Sequence, residues 1–406
     1  MLDRRLRRGA GQLRRSNLRV GLSIVAVSSV LAVFVACATQ GADTPAPDAG
    51  IVDDGGVVDA ARGDDADGGD ADARPPCEGE SDCKIYPGAC TDQTLCAASV
   101  AINSSARLLG LWAANDQDLW AAGTMGTVLH SDGATWKAIP TGRLETLRSV
   151  AGTGPNDVWF ASTDRFLMHT QGALADGGAA WDVYDSSAID SPHLMQSIWG
   201  SAAQGMWGLI DNTYQPNGLI LHSAGWQQDG GGPAWTLDLA PTYMDPPGPF
   251  GGRSLYGFGA TDVWSGWVGG QLFRRDVDGG WKELNSGSQS TLNGIWGPTA
   301  NDLFLVGSSG SVRHWDGQTI TTLELEPSIR DYDLFGVCGT SSNDVWIVGD
   351  KGLVLHWDGQ HFTRIAIGAL QGRRPTLRGI RVSSTTDQIW VVGDAFVLGG
   401  KKGALQ

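Results

Sequence analysis

Basic residues are scarce in this 406-residue chain: 29 Lys and Arg stand against 44 Asp and Glu, for a formal charge of −15. Binding along a phosphate backbone requires a basic surface, so the balance argues against a nucleic-acid partner. Long apolar runs are also missing. The longest, residues 20–35, has sixteen residues and is short for a bilayer span. Cysteine and tyrosine occupy six positions each, and histidine seven. No Gly-x-Ser-x-Gly, His-Glu-x-x-His, phosphate-loop or dinucleotide fingerprint occurs, and the hydrolase, zinc-peptidase and nucleotide chemistries that those motifs mark go with them. What the chain does have is 58 Gly and 17 Trp, every Trp falling between Trp112 and Trp390.

The distribution of those residues defines a unit. In residues 334–365, LFGVCGTSSNDVWIVGDKGLVLHWDGQHFTRI, apolar side chains alternate in four short bursts separated by Gly, Asn and Asp. Period-two runs punctuated this way predict a four-stranded antiparallel meander, with Asp358–Gly359 supplying the positive φ angles of a tight hairpin. A sheet of 32 residues cannot bury both faces alone. The unit recurs, its landmark being the second strand: Asp118-Leu119-Trp120, Asp157-Val158-Trp159, Gly205-Met206-Trp207, Asp262-Val263-Trp264, Asp302-Leu303-Phe304, Asp344-Val345-Trp346 and Gln388-Ile389-Trp390. The aromatic-to-aromatic spacings are 39, 48, 57, 40, 42 and 44 residues. Seven copies near a period of 40 predict an all-β fold, a single seven-bladed β-propeller over residues 98–406. Inner strands are expected at 109–112, 147–150, 195–199, 255–258, 292–296, 334–338 and 377–382, with insertions at 171–180, 211–218, 224–234 and 240–253.

The last copy runs out before a good fourth strand. Residues 98–102, Ala-Ser-Val-Ala-Ile, precede the first repeat and have no partner of their own. They are expected to complete the seventh blade as its outermost strand, antiparallel to residues 396–398, because an open edge there would fray.

Ahead of the repeats the chain changes character twice. Residues 1–36 combine seven Arg and one Asp with an apolar stretch and a small-residue site, the pattern of an export signal. The ending resembles a bacterial lipobox, which implies lipidation at Cys37 and an exported protein anchored to the cell envelope, at the outer membrane or cell surface. Removing that net +6 would leave the mature chain near −21. Residues 37–76 contain ten Asp, two Arg and almost no bulky side chain, and are expected to form a disordered tether. Asp64–Asp70 lacks the acidic twelfth ligand and flanking helices of a calcium loop, so no metal site is expected there. Cys77, Cys83, Cys90 and Cys96 follow, with five, six and five residues between them. In an exported chain they predict a small module at 77–97 with two disulfides, in any of three pairings. Cys338 takes the inner-strand position of Trp112, Trp199 and Trp296, and is expected to be buried rather than catalytic.

Five of the seven histidines, His130, His169, His222, His314 and His356, hold one place in their own repeats, before the turn joining strands three and four. Repetition distributes them around the circumference, which favours one structural hydrogen bond per blade over a metal cluster. The turn His130-Ser131-Asp132-Gly133-Ala134-Thr135-Trp136 resembles a contracted Asp-box, with Trp315-Asp316-Gly317 and Trp357-Asp358-Gly359 as degenerate versions. On these residues the repeats resemble the Asp-box (BNR-like) propellers, among them sialidases, binding proteins and assembly factors. That resemblance implies two functions. One is a non-catalytic propeller, expected to be monomeric and to need no cofactor, that binds a protein or glycan in the envelope. The other is a glycosidase or lyase, which needs two carboxylates about 5–10 Å apart in a central cleft. Loops that enter first strands and join strands two and three share a face, and the longest carry Tyr214, Tyr243, Asp245 and Arg253. These four are the candidate binding residues, since loops on rigid scaffolds concentrate recognition.

Overall fold

The computed structural model describes residues 90–405, apart from 165, 186–192, 213–217, 228–231, 240–250, 260–261, 277, 369 and 371–372. The leader, the tether and Cys37, Cys77 and Cys83 therefore lie outside the described residues. Seven four-stranded antiparallel sheets form the seven blades of a propeller, each beginning with its inner strand. The inner strands are Leu108–Asn115, Leu147–Gly154, His193–Ser201, Gly252–Gly259, Leu292–Thr299, Leu334–Ser341 and Leu377–Val382 for blades 1 to 7. Each contains the stretch that the sequence pattern assigns to it. Second strands start at Asp118, Asp157, Gly205, Asp262, Asp302, Asp344 and Gln388. Their Trp or Phe side chains lie between blades, with Trp120, Trp159, Trp207, Trp264, Phe304 and Trp346 almost fully buried.

Aromatic rings of one inner strand pack on the backbone of the next. A Cβ on Gly152 would fall 2.7 Å from Cη2 of Trp112, one on Gly257 2.8 Å from Trp199, and one on Gly339 2.7 Å from Trp296. Glycine at these sites lets a flat ring sit directly on the neighbouring strand. Between blades 4 and 5 the same role falls to Tyr256, whose hydroxyl donates to the Gly297 carbonyl at 3.1 Å. Burial pushes the Tyr256 phenol far above its ordinary value, so it stays a neutral donor.

Two local expectations need correction. The seventh blade does take its outer strand from the N-terminal side, antiparallel to Phe396–Lys401, but the strand is Cys96–Ala97 rather than residues 98–102. Leu95 decides the register: it is fully buried in the main core and bridges Ile367, which fixes the residues after it against Gly399 and Leu398. One further bond, from Ala98 N to the Val397 carbonyl, extends the pairing, and Val100 and Ile102 then pack as side chains beside Trp136 and Trp390. The turn at Asp358–Gly359 is also not a two-residue hairpin. Trp357 pairs with Phe362 across a four-residue loop in which Gly359 alone takes positive φ, at 96°. The Asp358 carboxylate accepts from the amides of Gln360 and His361, both at 2.7 Å, and does the work assigned to a tighter turn.

Cys90 and Cys96 form a disulfide, so the outermost strand of blade 7 begins at a half-cystine. No cysteine among the described residues is a free thiol, Cys338 included, and Cys338 is fully buried in its inner strand.

Candidate functional site

The histidines belong to the blades. Twelve residues after the Asp that opens a second strand, the antiparallel register returns a third-strand side chain beside it: Trp120 pairs with His130, Trp159 with His169 and Trp346 with His356. The His Nε2 meets the Asp Oδ1 at 2.9 Å in His130–Asp118, 2.8 Å in His169–Asp157, 2.7 Å in His314–Asp302 and 3.0 Å in His356–Asp344. The indole N–H donates to the same Asp from Trp120, Trp159, Trp264 and Trp346. Blade 4 replaces the histidine with Arg274, which makes two bonds to Asp262. In blade 3, where Gly205 stands in place of Asp, His222 bonds the Gln204 carbonyl at 2.7 Å. The expected per-blade histidine bond is present, but it holds strand two to strand three, and the turn is tied separately by Asp132, Asp316 or Asp358.

A different set of side chains is drawn together at the axis. In all seven blades the inner strand slips register by one residue near its start. A bulge re-aims the extra residue out of the strict alternation that serves neighbouring blades. The residues so placed are Leu109, Arg148, Gln196, Arg253, Asn293, Phe335 and Arg378, one per blade in one ring. Adjacent inner strands pack on one another, and contacts within the ring follow: Arg378 lies over the Phe335 ring at 5.1 Å, and Asn293 Nδ2 donates to the Leu334 carbonyl at 2.9 Å. Arg148 and Arg253 are half-buried and Arg378 is buried. Deeper along its strand, Arg381 occupies the position that Trp112 has in blade 1. Burial pulls its guanidinium down from the usual value, while Asp116 and Tyr256 act the other way.

None of the seven inner strands contains Asp or Glu, and together they contain four Arg. The inner strands therefore carry only positive charge within a chain of formal charge −15, and Asp394 from the turn after the second strand of blade 7 meets Arg378, Oδ1 to Nε at 3.7 Å. Preorganised guanidinium groups among amides make bidentate bonds to carboxylates.

Of the four candidate binding residues, Arg253 sits on blade 4 as the second residue of its inner strand, inside this ring. Tyr214, Tyr243 and Asp245 lie outside the described residues. Sequence reading missed Arg148, Gln196, Asn293 and Arg378. Their signal is positional: superposing the repeats puts the bulged residue of each inner strand in one column, and that column is polar in five copies.

Fold and ring define a seven-bladed propeller with arginine-bearing inner strands. No protein-family model matches the chain, and no characterised protein matches it by sequence. Among solved structures, the fold is similar to YCF48 bound to a D1 peptide, with TM-score 0.55 and 16% identity over 78% of this chain and 99% of that one. It is also similar to YCF48 from Cyanidioschyzon merolae, with TM-score 0.52 and 14% identity over 75% and 97%. The WD40 propeller domain of Doa1 follows at TM-score 0.50 and 11% identity, over 77% and 93%. At these identities the likeness is one of fold.

Proposed function

We propose that this chain is a non-catalytic propeller that holds an acidic segment of a protein partner at the ring formed by Arg148, Arg253 and Arg378, while a lipidated Cys37 tethers it to the cell envelope. The observation that carries the reading is the seven-fold bulge, which collects three guanidinium groups and two amides at one level of the axis. A glycosidase needs an opposed carboxylate pair at its centre; the inner strands supply none, and Asp394 and Asp350 beside the ring are engaged by Thr376. A peptide-bound structure of YCF48 supports a protein ligand for this architecture. Anchoring rests on the sequence of residues 1–37 and is tested by intact mass of the membrane fraction, where an unmodified N-terminus other than Cys37 would remove it.

The binding claim is tested by fluorescence anisotropy with a set of acidic peptides against the wild type and an R148Q/R253Q/R378Q variant. Wild-type binding should weaken as salt rises. The variant, with its melting temperature checked, should bind roughly 100-fold more weakly, because charge-assisted bonds to the carboxylates are lost. Equal affinities for the two proteins would overturn the assignment.

A further inference from the structure

Blade 2 departs from the common histidine geometry, and the departure opens a cleft. In blades 1, 3, 5 and 6 the histidine ring lies against its own second-strand aromatic, at 4.5 Å for His130, 4.5 Å for His222, 4.6 Å for His314 and 4.4 Å for His356. His169 stands 5.8 Å from Trp159, edge-on, and stacks instead on Trp226 of blade 3, at 4.6 Å with 12° between the planes. Trp226 arrives on an inserted hairpin, Trp226–Gln227 paired with Gly232–Pro233, which reaches back over the outer strand of blade 2, Asp182–Asp185. The hairpin docks through Gly232, where a Cβ would fall 2.1 Å from Cδ2 of Tyr184.

Between hairpin and blade lies a cleft of about 560 Å³ lined by Asn156, Asp157, His169, Gln171, Asp182 and Tyr184, with Trp226. That is within the usual range of small-molecule sites, roughly 300–1,000 Å³. His169 is 4% exposed; its Nε2 is bonded to Asp157, while its Nδ1 is buried without a hydrogen bond among the described residues, 3.5 Å from Asp182 Oδ2. With Nε2 held by Asp157, the other ring nitrogen faces the Asp182 carboxylate across the cleft floor. The exposed Asp182 carboxylate offers two acceptor oxygens to the paired O–H donors of a vicinal diol. Asn156 and Gln171 add amides that donate and accept, and Trp226 and Tyr184 give apolar surface for C–H faces. Lys and Arg are absent from the lining, which disfavours an anion, and the Asp157 carboxylate is already engaged by Trp159, His169 and Thr153.

We infer that this cleft is a second binding site, for a short neutral oligosaccharide, independent of the axial ring. Isothermal titration of the detergent-solubilised full chain with neutral di- and trisaccharides of glucose, mannose, galactose and N-acetylglucosamine tests it. At least one should bind at micromolar to millimolar concentration. Asp182→Asn, Gln171→Ala and Trp226→Ala should each weaken that binding by roughly tenfold, while Asp278→Asn on blade 4 and the R148Q/R253Q/R378Q variant should bind as wild type. Asp182 and Gln171 are exposed, so those two variants keep the fold intact. The inference fails if no saccharide binds, if Asp182→Asn and Trp226→Ala leave binding unchanged, or if a tetralysine peptide occupies the cleft in place of sugar.

Discussion

Four donors meet on the Asp344 carboxylate. Trp346 Nε1 and His356 Nε2 bind Oδ1 at 2.8 and 3.0 Å, Lys402 Nζ binds Oδ2 at 2.8 Å, and the Thr340 hydroxyl completes the set. Burial alone would raise its pKa; the bonds from His356, Lys402, Thr340 and Trp346 outweigh it and hold the carboxyl well below the ordinary range. Asp157 is lowered in the same way, with burial opposed by His169, Thr153 and Trp159. A carboxylate depressed in the folded state contributes stability above its unfolded value, about 3.9, and loses it as pH falls towards the folded one. Asp344→Asn should therefore cost about 2–4 kcal/mol at neutral pH, and the gap from wild type in urea unfolding should narrow below about pH 4. A constant gap across that range would separate the cost from ionisation. The Asp-x-Trp motif and the recurring histidine before the turn are both plain in the sequence, but not that the one binds the other. Asp and His are twelve positions apart and meet only once the second and third strands are in register, which local adjacency does not reveal.

At the scale of the strand, alternation made every inner and second strand legible, because one-residue slips would turn the buried Trp series to the wrong face. The bulges escaped for the same reason: a bulge is a break in period two, and seven breaks at one place look like ragged strand ends until the blades are superposed. Ring-on-glycine packing between inner strands gives a direct test. Gly339→Ala puts a methyl 2.7 Å from Trp296 and 2.3 Å from the Asp344 carbonyl. The strand must shift, at about 1–3 kcal/mol, and the melting temperature should fall. Gly154→Ala, with nothing within 4 Å of the new Cβ, should melt as wild type. Similar melting temperatures for the two variants would show that the Trp contacts do not fix blade spacing.

For the molecule as a whole, closure rests on one seam. Cys96 and Ala97 pair with Gly399 and Leu398, Leu95 fills the core beside them, and Lys402 crosses from the end of blade 7 to Asp344 of blade 6. The need for a closing strand was legible because the seventh repeat ends short. Its register was not, since Ala98-Ser99-Val100-Ala101-Ile102 carries the better strand pattern and only the pocket for Leu95 shifts the pairing. Truncation to residue 104 removes the strand and the Leu95 plug, about 3–5 kcal/mol together, and should lower the unfolding temperature by roughly 10 °C. Truncation to residue 76 should change it little. Equal melting of the two, followed by circular dichroism, would mean that the ring holds without its N-terminal strand.

The seam also sets how the molecule answers a pull. Tension applied at Cys90 itself does not travel along the next five residues, because the Cys90–Cys96 bond short-circuits them and delivers the load at the first residue of the outermost strand. Leu95, inside the bypassed loop, is spared the force and stays seated as a stop. The rungs that take the strain are the few between residues 96–98 and the last strand. Under a load at Cys90 that pairing should yield first and bare the outer edge of blade 7, while the inner strands of blades 7 and 1 stay packed on one another.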